Sequence, residues 1–183
     1  MTTVDFERLQ VIGRDLLVAI GEDPDEPRIR DTPLRFAKWW REFIEYDPGK
    51  LDTAFQSEAD QMVVVSGMKI WSLCEHHLLP FWAEVSIGYL PHGKVLGLSK
   101  FGRIVQHCAS RLQIQERMVE EIAGMVHDLT GSSDVAVLAQ GEHLCMIMRG
   151  IKTPSLMTSS VMDGIFRSKA EVRAEFLNIA RRS

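Results

Sequence analysis

Residues 61–91, with the sequence QMVVVSGMKIWSLCEHHLLPFWAEVSIGYLP, decide how this chain folds. Residues 61–73 are rich in β-branched and apolar side chains and predict one or two strands, and the alternation in residues 82–91 predicts another. The short segment between them, SLCEHHLLP, contains a cysteine, an acid and two adjacent histidines. Side chains that can bind a metal therefore lie between two predicted strands.

Helical periodicity appears on both sides of this region. Helices are predicted at residues 4–23, 31–46, 99–112, 115–131 and 169–182. Residues 47–60 are predicted as a loop, and further strands are predicted at residues 94–98, at residues 134–150 as two strands around Gly141, and at residues 156–166. This order of helices, strands, two helices, strands and a helix predicts an α+β fold with an antiparallel sheet.

Composition narrows the class of protein. The 183 residues are 45% hydrophobic and carry a formal net charge of −4, which is typical of a globular chain and argues against nucleic-acid binding. The apolar runs are too short to span a membrane, and the polar start, MTTVDFERLQ, does not resemble a signal peptide, so a cytoplasmic location is expected. Three cysteines do not indicate a disulfide framework.

A metal site is the first candidate. Cys74 and His77 have the spacing of a metal-binding loop, and a catalytic zinc usually takes three protein ligands. Cys145 could be the third, with His143 two residues before it on the same face of a predicted strand. His76 would then be free for proton transfer. Alternatively, Cys145 is a buried thiol, which is also our interpretation of Cys108.

Two polar groups are the other candidates. Ser99, Lys100 and Arg103 begin a predicted helix, where unpaired N–H groups favour anions, and Arg149 follows Cys145; together they predict a phosphate site. The alternative is an ordinary set of surface cations. The adjacent amide and carboxylate at positions 115 and 116 could recognise guanine, although a helix-capping pair is the favoured interpretation of those two residues taken alone.

Several motifs in one order resemble the GTP cyclohydrolase I family. The matching motifs are CEHHLLPF, IGYLP, VLGLSKFGRIV, RLQIQER and HLCMIMRG, and the resemblance runs from about residue 62 to the end, with DTPLRFAKWW similar to the family's N-terminal region. The resemblance implies a tunnelling fold (T-fold): a four-stranded antiparallel sheet with helices on one side, plus an N-terminal helical extension. It places the helical region at residues 1–60 and the catalytic domain at residues 61–183.

The resemblance also implies the function and the site. Such enzymes are zinc-dependent hydrolases of tetrahydrofolate biosynthesis and one-carbon metabolism. They hydrolyse GTP, through ring opening and an Amadori rearrangement, to 7,8-dihydroneopterin triphosphate, a pterin, and formate, and they assemble as homodecamers with active sites between subunits. The implied residues are Cys74, His77 and Cys145 for Zn²⁺; His76, His143 and Ser99 for proton transfer; Ser99, Lys100, Arg103 and Arg149 for triphosphate; Gln115 and Glu116 for guanine; and Arg35 for a neighbouring subunit's site.

Two features depart from the family pattern. Residues 151–166 are about one residue short and contain Pro154, which is poorly tolerated inside a sheet, and residues 80–85 carry Trp82 and Ala83 where smaller residues or glycine are common.

Two other functions are alternatives to a GTP cyclohydrolase I: a related enzyme with the same first step, and a zinc-stabilised scaffold without catalysis. His76, His143 and Glu116 argue against the scaffold, which needs the metal ligands alone.

Overall fold

Two helices form the N-terminal unit, which ends at Asp47. In this computed structural model, which describes residues 3–181, α1 (Phe6–Ala19) begins after Asp5, whose carboxylate accepts the N–H of Arg8 at 2.8 Å. The second helix, α2 (Thr32–Ile44), has Pro33 in its first turn, where a missing N–H costs nothing. Both helices confirm the predictions made from the helical periodicity of residues 4–23 and 31–46.

The second unit begins at Pro48 and is built on a five-stranded sheet. Its strands, and two short ones beside it, are β1 (Ala54–Gln56), β2 (Val63–Cys74), β3 (Pro80–Tyr89), β4 (Lys94–Leu96), β5 (Leu112–Gln113), β6 (Val135–His143) and β7 (Met157–Met162). The order in the sheet is β5-β2-β3-β6-β7, with four antiparallel strands and β5 parallel to β2. The expected four-stranded sheet therefore has a fifth, two-residue strand at the edge beside β2.

Helices cover both faces of this sheet, contrary to the expectation that they lie on one side. The helices of the second unit are α3 (Leu98–Ala109), α4 (Gln115–Thr130), α5 (Leu144–Ile147), α6 (Ile165–Ser168) and α7 (Ala170–Ala180). The main core packs α3 and α4 against one face, through residues such as Ile87 and Tyr89 of β3. Gly88, between these two, faces the other way and lies against the ring of Phe176 in α7.

The segment at residues 134–150 also differs from its prediction. The sequence predicts two strands around Gly141, but β6 runs through this glycine and ends at His143, and α5 follows. A Cβ at position 141 would lie 1.9 Å from the carbonyl oxygen of Trp82, so this glycine allows β3 and β6 to approach closely and does not form a turn. Cys145 is therefore on a helical turn, and the argument that it shares a strand face with His143 is wrong.

Other segments agree with or differ from their predictions in smaller ways. The predicted loop at residues 47–60 contains β1, which pairs with β4 in a separate two-stranded sheet. Gly131 ends α4 with a φ of 72°, as its position in the sequence predicts. Residue 182 of the predicted last helix lies outside the described residues. The division of domains after residue 60 stays a prediction, and the contacts group residues 48–60 with the sheet.

No helix within residues 3–181 has both the length and the apolar character needed to cross a bilayer.

Candidate active site

Two cysteines and a histidine converge where β2 ends. The ligand atoms of Cys74, His77 and Cys145 all lie within 4.8 Å of one another, and Cys74 Sγ is 3.5 Å from His77 Nδ1. Within the described part of the chain, this is the one group of three such side chains close enough to share a metal ion. Two sulfurs and one imidazole nitrogen suit zinc and leave a fourth position for water.

A tight turn brings His77 back towards Cys74. The N–H groups of His77 and Leu78 both donate to the carbonyl oxygen of Cys74, at 3.3 and 2.9 Å. Leu78 adopts a φ of 55°, a left-handed conformation that reverses the chain within one residue. The two ligands three positions apart therefore point into the same space.

Cys145 reaches the other two ligands from α5. Burial raises the pKa of its thiol, and the nearby sulfur of Cys74 adds to that shift. A thiol in this position keeps its proton when no cation is near, since two neighbouring thiolates repel each other. Metal binding at this group must therefore displace protons, as at other thiolate sites.

The loop between the ligands is attached to the first turn of α4. Arg117 Nη2 lies 2.5 Å from Glu75 Oε2 and also donates to the carbonyl oxygen of Leu112 at 3.0 Å. Arg117 Nε donates to the side-chain oxygen of Gln113 at 2.9 Å. Sequence reasoning missed Arg117; the available signal was the acid between Cys74 and His76, which needs a cation once the loop is packed against the fold.

His76 lies at the exposed side of this loop. About two-thirds of its side chain, 65%, is accessible to solvent, and its Nδ1 is 4.0 Å from Cys74 Sγ. Glu75 Oε1 lies 3.8 Å from His76 Nε2, so the acid that binds Arg117 also faces this imidazole. The ring is free to meet a ligand from solvent.

His143 is held in one orientation by its neighbours. Its ring stacks on Phe81, with centroids 4.5 Å apart, and burial lowers its pKa, which favours the neutral imidazole. Its Nε2 lies 3.1 Å from Gln115 Oε1. The Gln115 amide nitrogen donates to the carbonyl oxygens of Ala139 and Met157, so its oxygen faces the histidine. His143 Nε2 therefore carries the hydrogen, and Nδ1 is left as the acceptor.

The same contacts bear on the guanine prediction. Gln115 is fully buried and its amide is already hydrogen-bonded within the fold, so in this structure the side chain supports His143 and β7 and is not free to bind a base. Glu116, the next residue, is exposed and faces a different environment. It contributes to a cavity of about 310 Å³ lined by Glu116, Val119, Glu120, Met157, Thr158, Ser159 and Ser160.

The basic residues of α3 are bonded to a nearby loop. Lys100 is 9% exposed, and its ammonium donates to the carbonyl oxygen of Lys50. Arg103 Nη1 donates to the carbonyl oxygen of Pro48 at 2.8 Å. Ser99, in the first turn of α3, is exposed, as is Arg149 after α5. The predicted phosphate residues therefore include two cations whose partners are backbone oxygens of residues 48–50.

Arg35 belongs to the N-terminal unit. It lies on α2 with 73% of its side chain exposed, 3.7 Å from Asp31 in the same helix. An exposed pair of this kind holds the guanidinium weakly, so the side chain can take other partners.

A second cavity shares Glu120 and Ser160 with the cavity beside Glu116 and is lined by none of the predicted site residues. It measures about 440 Å³ and lies between α4 and β7, and its lining is Glu120, Ala123, Gly124, His127, Ser133, Val135, Ser160, Val161, Met162, Asp163 and Arg167.

Comparison with known proteins identifies the family. The model of the family described as GTP cyclohydrolase I matches residues 10–181. The GTP cyclohydrolase 1 of Alkalilimnicola ehrlichii is 46% identical, over 96% of this chain and 98% of that protein. Those of Rhodopirellula baltica and Deinococcus radiodurans are 42% and 43% identical, over 98% and 93% of this chain and 81% and 82% of the relatives. The chain therefore belongs to the GTP cyclohydrolase I family of enzymes.

Proposed function

We propose that this chain is a zinc-dependent GTP cyclohydrolase I in the cytoplasm, which converts GTP and water to 7,8-dihydroneopterin triphosphate and formate at the start of tetrahydrofolate synthesis. The observation that carries the proposal is the convergence of Cys74, His77 and Cys145 in a chain of this family. A scaffold would need these three ligands alone. In this chain His143 is also oriented, by a hydrogen bond to Gln115 and by stacking on Phe81.

Zinc is the cofactor that the three ligands suit best. When bound, it supplies a water that is activated near neutral pH for hydrolysis at C8 of the purine. Cys74, His77 and Cys145 would hold it, and the donor set of two thiolates and one imidazole selects it over magnesium or calcium, which prefer oxygen.

Proton transfer is assigned to residues beside the ligands. His76 is exposed next to Cys74, where it can donate a proton to the imidazole nitrogen of the purine as the ring opens. His143 offers Nδ1 as an acceptor, because Gln115 occupies its other nitrogen. Together with Ser99, His143 would carry protons in the later rearrangement of the ribose and closure of the pterin ring.

Substrate recognition is divided between a carboxylate and cations. Glu116 would accept the ring N–H and the amino group of guanine at the cavity beside β7. The triphosphate would bind Ser99, Lys100, Arg103 and Arg149, for which Lys100 and Arg103 must exchange the carbonyl oxygens of Lys50 and Pro48 for phosphate oxygens. Gln115 contributes to recognition through the position that it gives His143.

Assembly as a homo-oligomer, with a decamer as the expected form, would complete the site with Arg35 of a neighbouring subunit. This part is tested by mixing an Arg35→Ala protein with a Cys74→Ala protein under conditions in which subunits exchange. Partial recovery of activity is expected, since a site between subunits can take its residues from different chains. No recovery in mixed oligomers would mean that Arg35 does not serve a neighbour's site.

The reaction itself is tested by turnover. The purified protein, loaded with zinc and given GTP, should release one formate for each pterin, which is detected by its fluorescence after oxidation. ATP in place of GTP and chelator-treated protein are the controls, and neither should give product. Tight GTP binding without formate release would favour the scaffold alternative.

A further inference from the structure

We propose that Arg117 is a positioning residue for the metal ligands: through Glu75 and Gln113, it holds the loop of Cys74 and His77 against the start of α4. The inference rests on the proposed function in one respect, namely that a zinc ion occupies the three ligands. It concerns how the chain shapes that site before the metal arrives.

The contacts of Arg117 join three parts of the second unit. Its guanidinium binds the carboxylate of Glu75 at 2.5 Å, the side-chain oxygen of Gln113 at 2.9 Å and the carbonyl oxygen of Leu112 at 3.0 Å. Glu75 lies between two ligands, directly after Cys74 and two residues before His77. A planar guanidinium with several N–H groups in fixed directions can hold all three acceptors at once.

Gln113, one of the residues that bind Arg117, is itself held in place by buried hydrogen bonds. Its side chain is fully buried, and its amide nitrogen donates to the carbonyl oxygen of Cys108 at 3.0 Å and to Glu121 at 2.7 Å. The backbone carbonyl oxygen of Gln113 accepts the backbone N–H of Glu75 at 3.1 Å. The residue that anchors Arg117 therefore also anchors the backbone of the loop.

The loop has little other support at this point. The strand that borders it, β5, pairs with β2 over two residues, Leu73 with Leu112 and Cys74 with Gln113. Beyond Cys74 the chain enters the turn that carries His76 and His77. Without Arg117, the carboxylate of Glu75 would lose its cation and the turn would be held mainly by its backbone bonds. Ligands that sample more positions bind a metal more weakly, because binding must then order them.

A neighbouring ion pair offers a matched control. Arg111 lies 3.3 Å from Glu121, with side-chain exposures of 45% and 29%, close to the 39% and 31% of Arg117 and Glu75. The Arg111 pair does not include a residue of the metal loop. Among the described residues, it meets the contacts of Arg117 at Glu121 alone, whose other carboxylate oxygen accepts the Gln113 amide. A partly exposed ion pair contributes little to stability, so the two arginines should matter similarly for folding. They should differ in their effect on zinc.

The experiment compares Arg117→Met with Arg111→Met in the full-length protein. Zinc affinity is measured by competition with a fluorescent chelator, and thermal unfolding is measured on the metal-free form. We expect Arg117→Met to weaken zinc binding about 10- to 100-fold, as for other residues that orient metal ligands. Arg111→Met should leave it unchanged, with similar unfolding temperatures for both. Equal zinc affinities in the two variants, or an equal loss in both, would overturn the proposal.

A second variant covers the case in which Arg117→Met does not fold. Glu75→Gln keeps the shape of the side chain and removes its charge, and it should weaken zinc binding in the same direction. Combining it with Arg117→Met should cost less than the sum of the two single losses, since both changes remove the ion pair of Glu75 with Arg117. Arg117→Lys should restore part of the affinity. A Glu75→Gln protein with unaltered zinc affinity overturns the proposal, while GTP turnover by the unaltered chain tests the proposed function separately.

Discussion

The metal end of the site and its cation end are built differently. At the metal end, Cys74, His77 and Cys145 already lie within 4.8 Å of one another, and His143 is fixed by a stacked ring and a buried amide. At the cation end, Lys100 and Arg103 are bonded to backbone oxygens of residues 48–50. The three proposed metal ligands are already close together within a single chain, whereas the proposed phosphate-binding cations would have to change partners to hold a triphosphate.

The difference follows from what a metal ion and a triphosphate each require of the residues that bind them. A transition metal needs ligand atoms at defined distances, so a fold that places them in advance binds it without further ordering. A triphosphate is flexible and strongly charged, and arginine and lysine can exchange a neutral acceptor for a phosphate oxygen with a gain in energy. Predictions about the metal end should therefore be large, and those about the cation end smaller.

The largest effect is expected from Cys145→Ala. Two remaining ligands should hold zinc poorly, so both bound zinc and GTP turnover should be lost. The zinc content of the purified protein and formate release measure the two losses. A variant with stoichiometric zinc and full turnover would remove Cys145 from the site.

Cys108 is the matched control for that change. It is completely buried in the main core, its sulfur contacts Met125, and burial raises the pKa of its thiol to about 12. At neutral pH it therefore stays protonated and should not react with alkylating reagents until the chain unfolds. Cys108→Ala should leave zinc content and turnover nearly unchanged; zinc loss there would mean that the wrong cysteine was assigned.

Stability at the metal end should be sensitive to Gly141→Ala. The added Cβ would lie 1.9 Å from the carbonyl oxygen of Trp82 and 2.8 Å from the Cα of Ala83, both backbone atoms that cannot turn away. Strands β3 and β6 must then separate, at a cost of about 1–3 kcal/mol in the free energy of unfolding. Denaturant unfolding measures this, with Gly124→Ala on α4 as the control, since beyond the local backbone of that helix no atom lies within 4 Å of a Cβ there. Equal stabilities would mean that the strands can spread freely.

These residues also show how far the sequence could lead. Cys74 and His77 were predictable as ligands because their short spacing is typical of a metal-binding loop. Cys145 is distant from them in the sequence, so it was proposed from the resemblance to the family and from a strand-face argument that is wrong. The path of the chain to Cys145 was not predictable, since Gly141 suits a turn and a close strand contact equally well, and only the approach of Trp82 decides between them. The role of Arg117 depends on Glu75, 42 positions away in the sequence, and local patterns do not reveal such pairs.

A moderate effect is expected from Glu116→Gln. An amide places a donor where guanine needs an acceptor, and a mismatched polar contact costs about 1–3 kcal/mol, or roughly 5- to 150-fold in GTP affinity. Zinc content should not change. Glu120→Gln, in the same cavity one turn along α4, is the control and should bind GTP normally. Unaltered GTP affinity in Glu116→Gln would exclude this carboxylate from recognition of the base.

The smallest effect concerns Gly49, between the two carbonyl oxygens that Lys100 and Arg103 bind. An added Cβ would lie 2.6 Å from Arg103 Nη1, the mobile end of a side chain, so Gly49→Ala should displace the guanidinium from Pro48. If this contact competes with phosphate, its loss should tighten the binding of inorganic triphosphate by up to about fivefold, since one such hydrogen bond is worth about 1 kcal/mol.

The control for this change is Gly93→Ala. Both glycines have positive φ, 64° and 76°, so alanine strains the backbone at each, but nothing lies within 4 Å of a Cβ at position 93. Calorimetric titration of both variants with triphosphate therefore separates the loss of the Arg103 contact from backbone strain. Tighter binding in Gly49→Ala alone would establish that the loop competes for the cation. Weaker binding would show the opposite: residues 48–50 would then hold Arg103 in the orientation that the triphosphate needs, and the cation end would be as well prepared as the metal end.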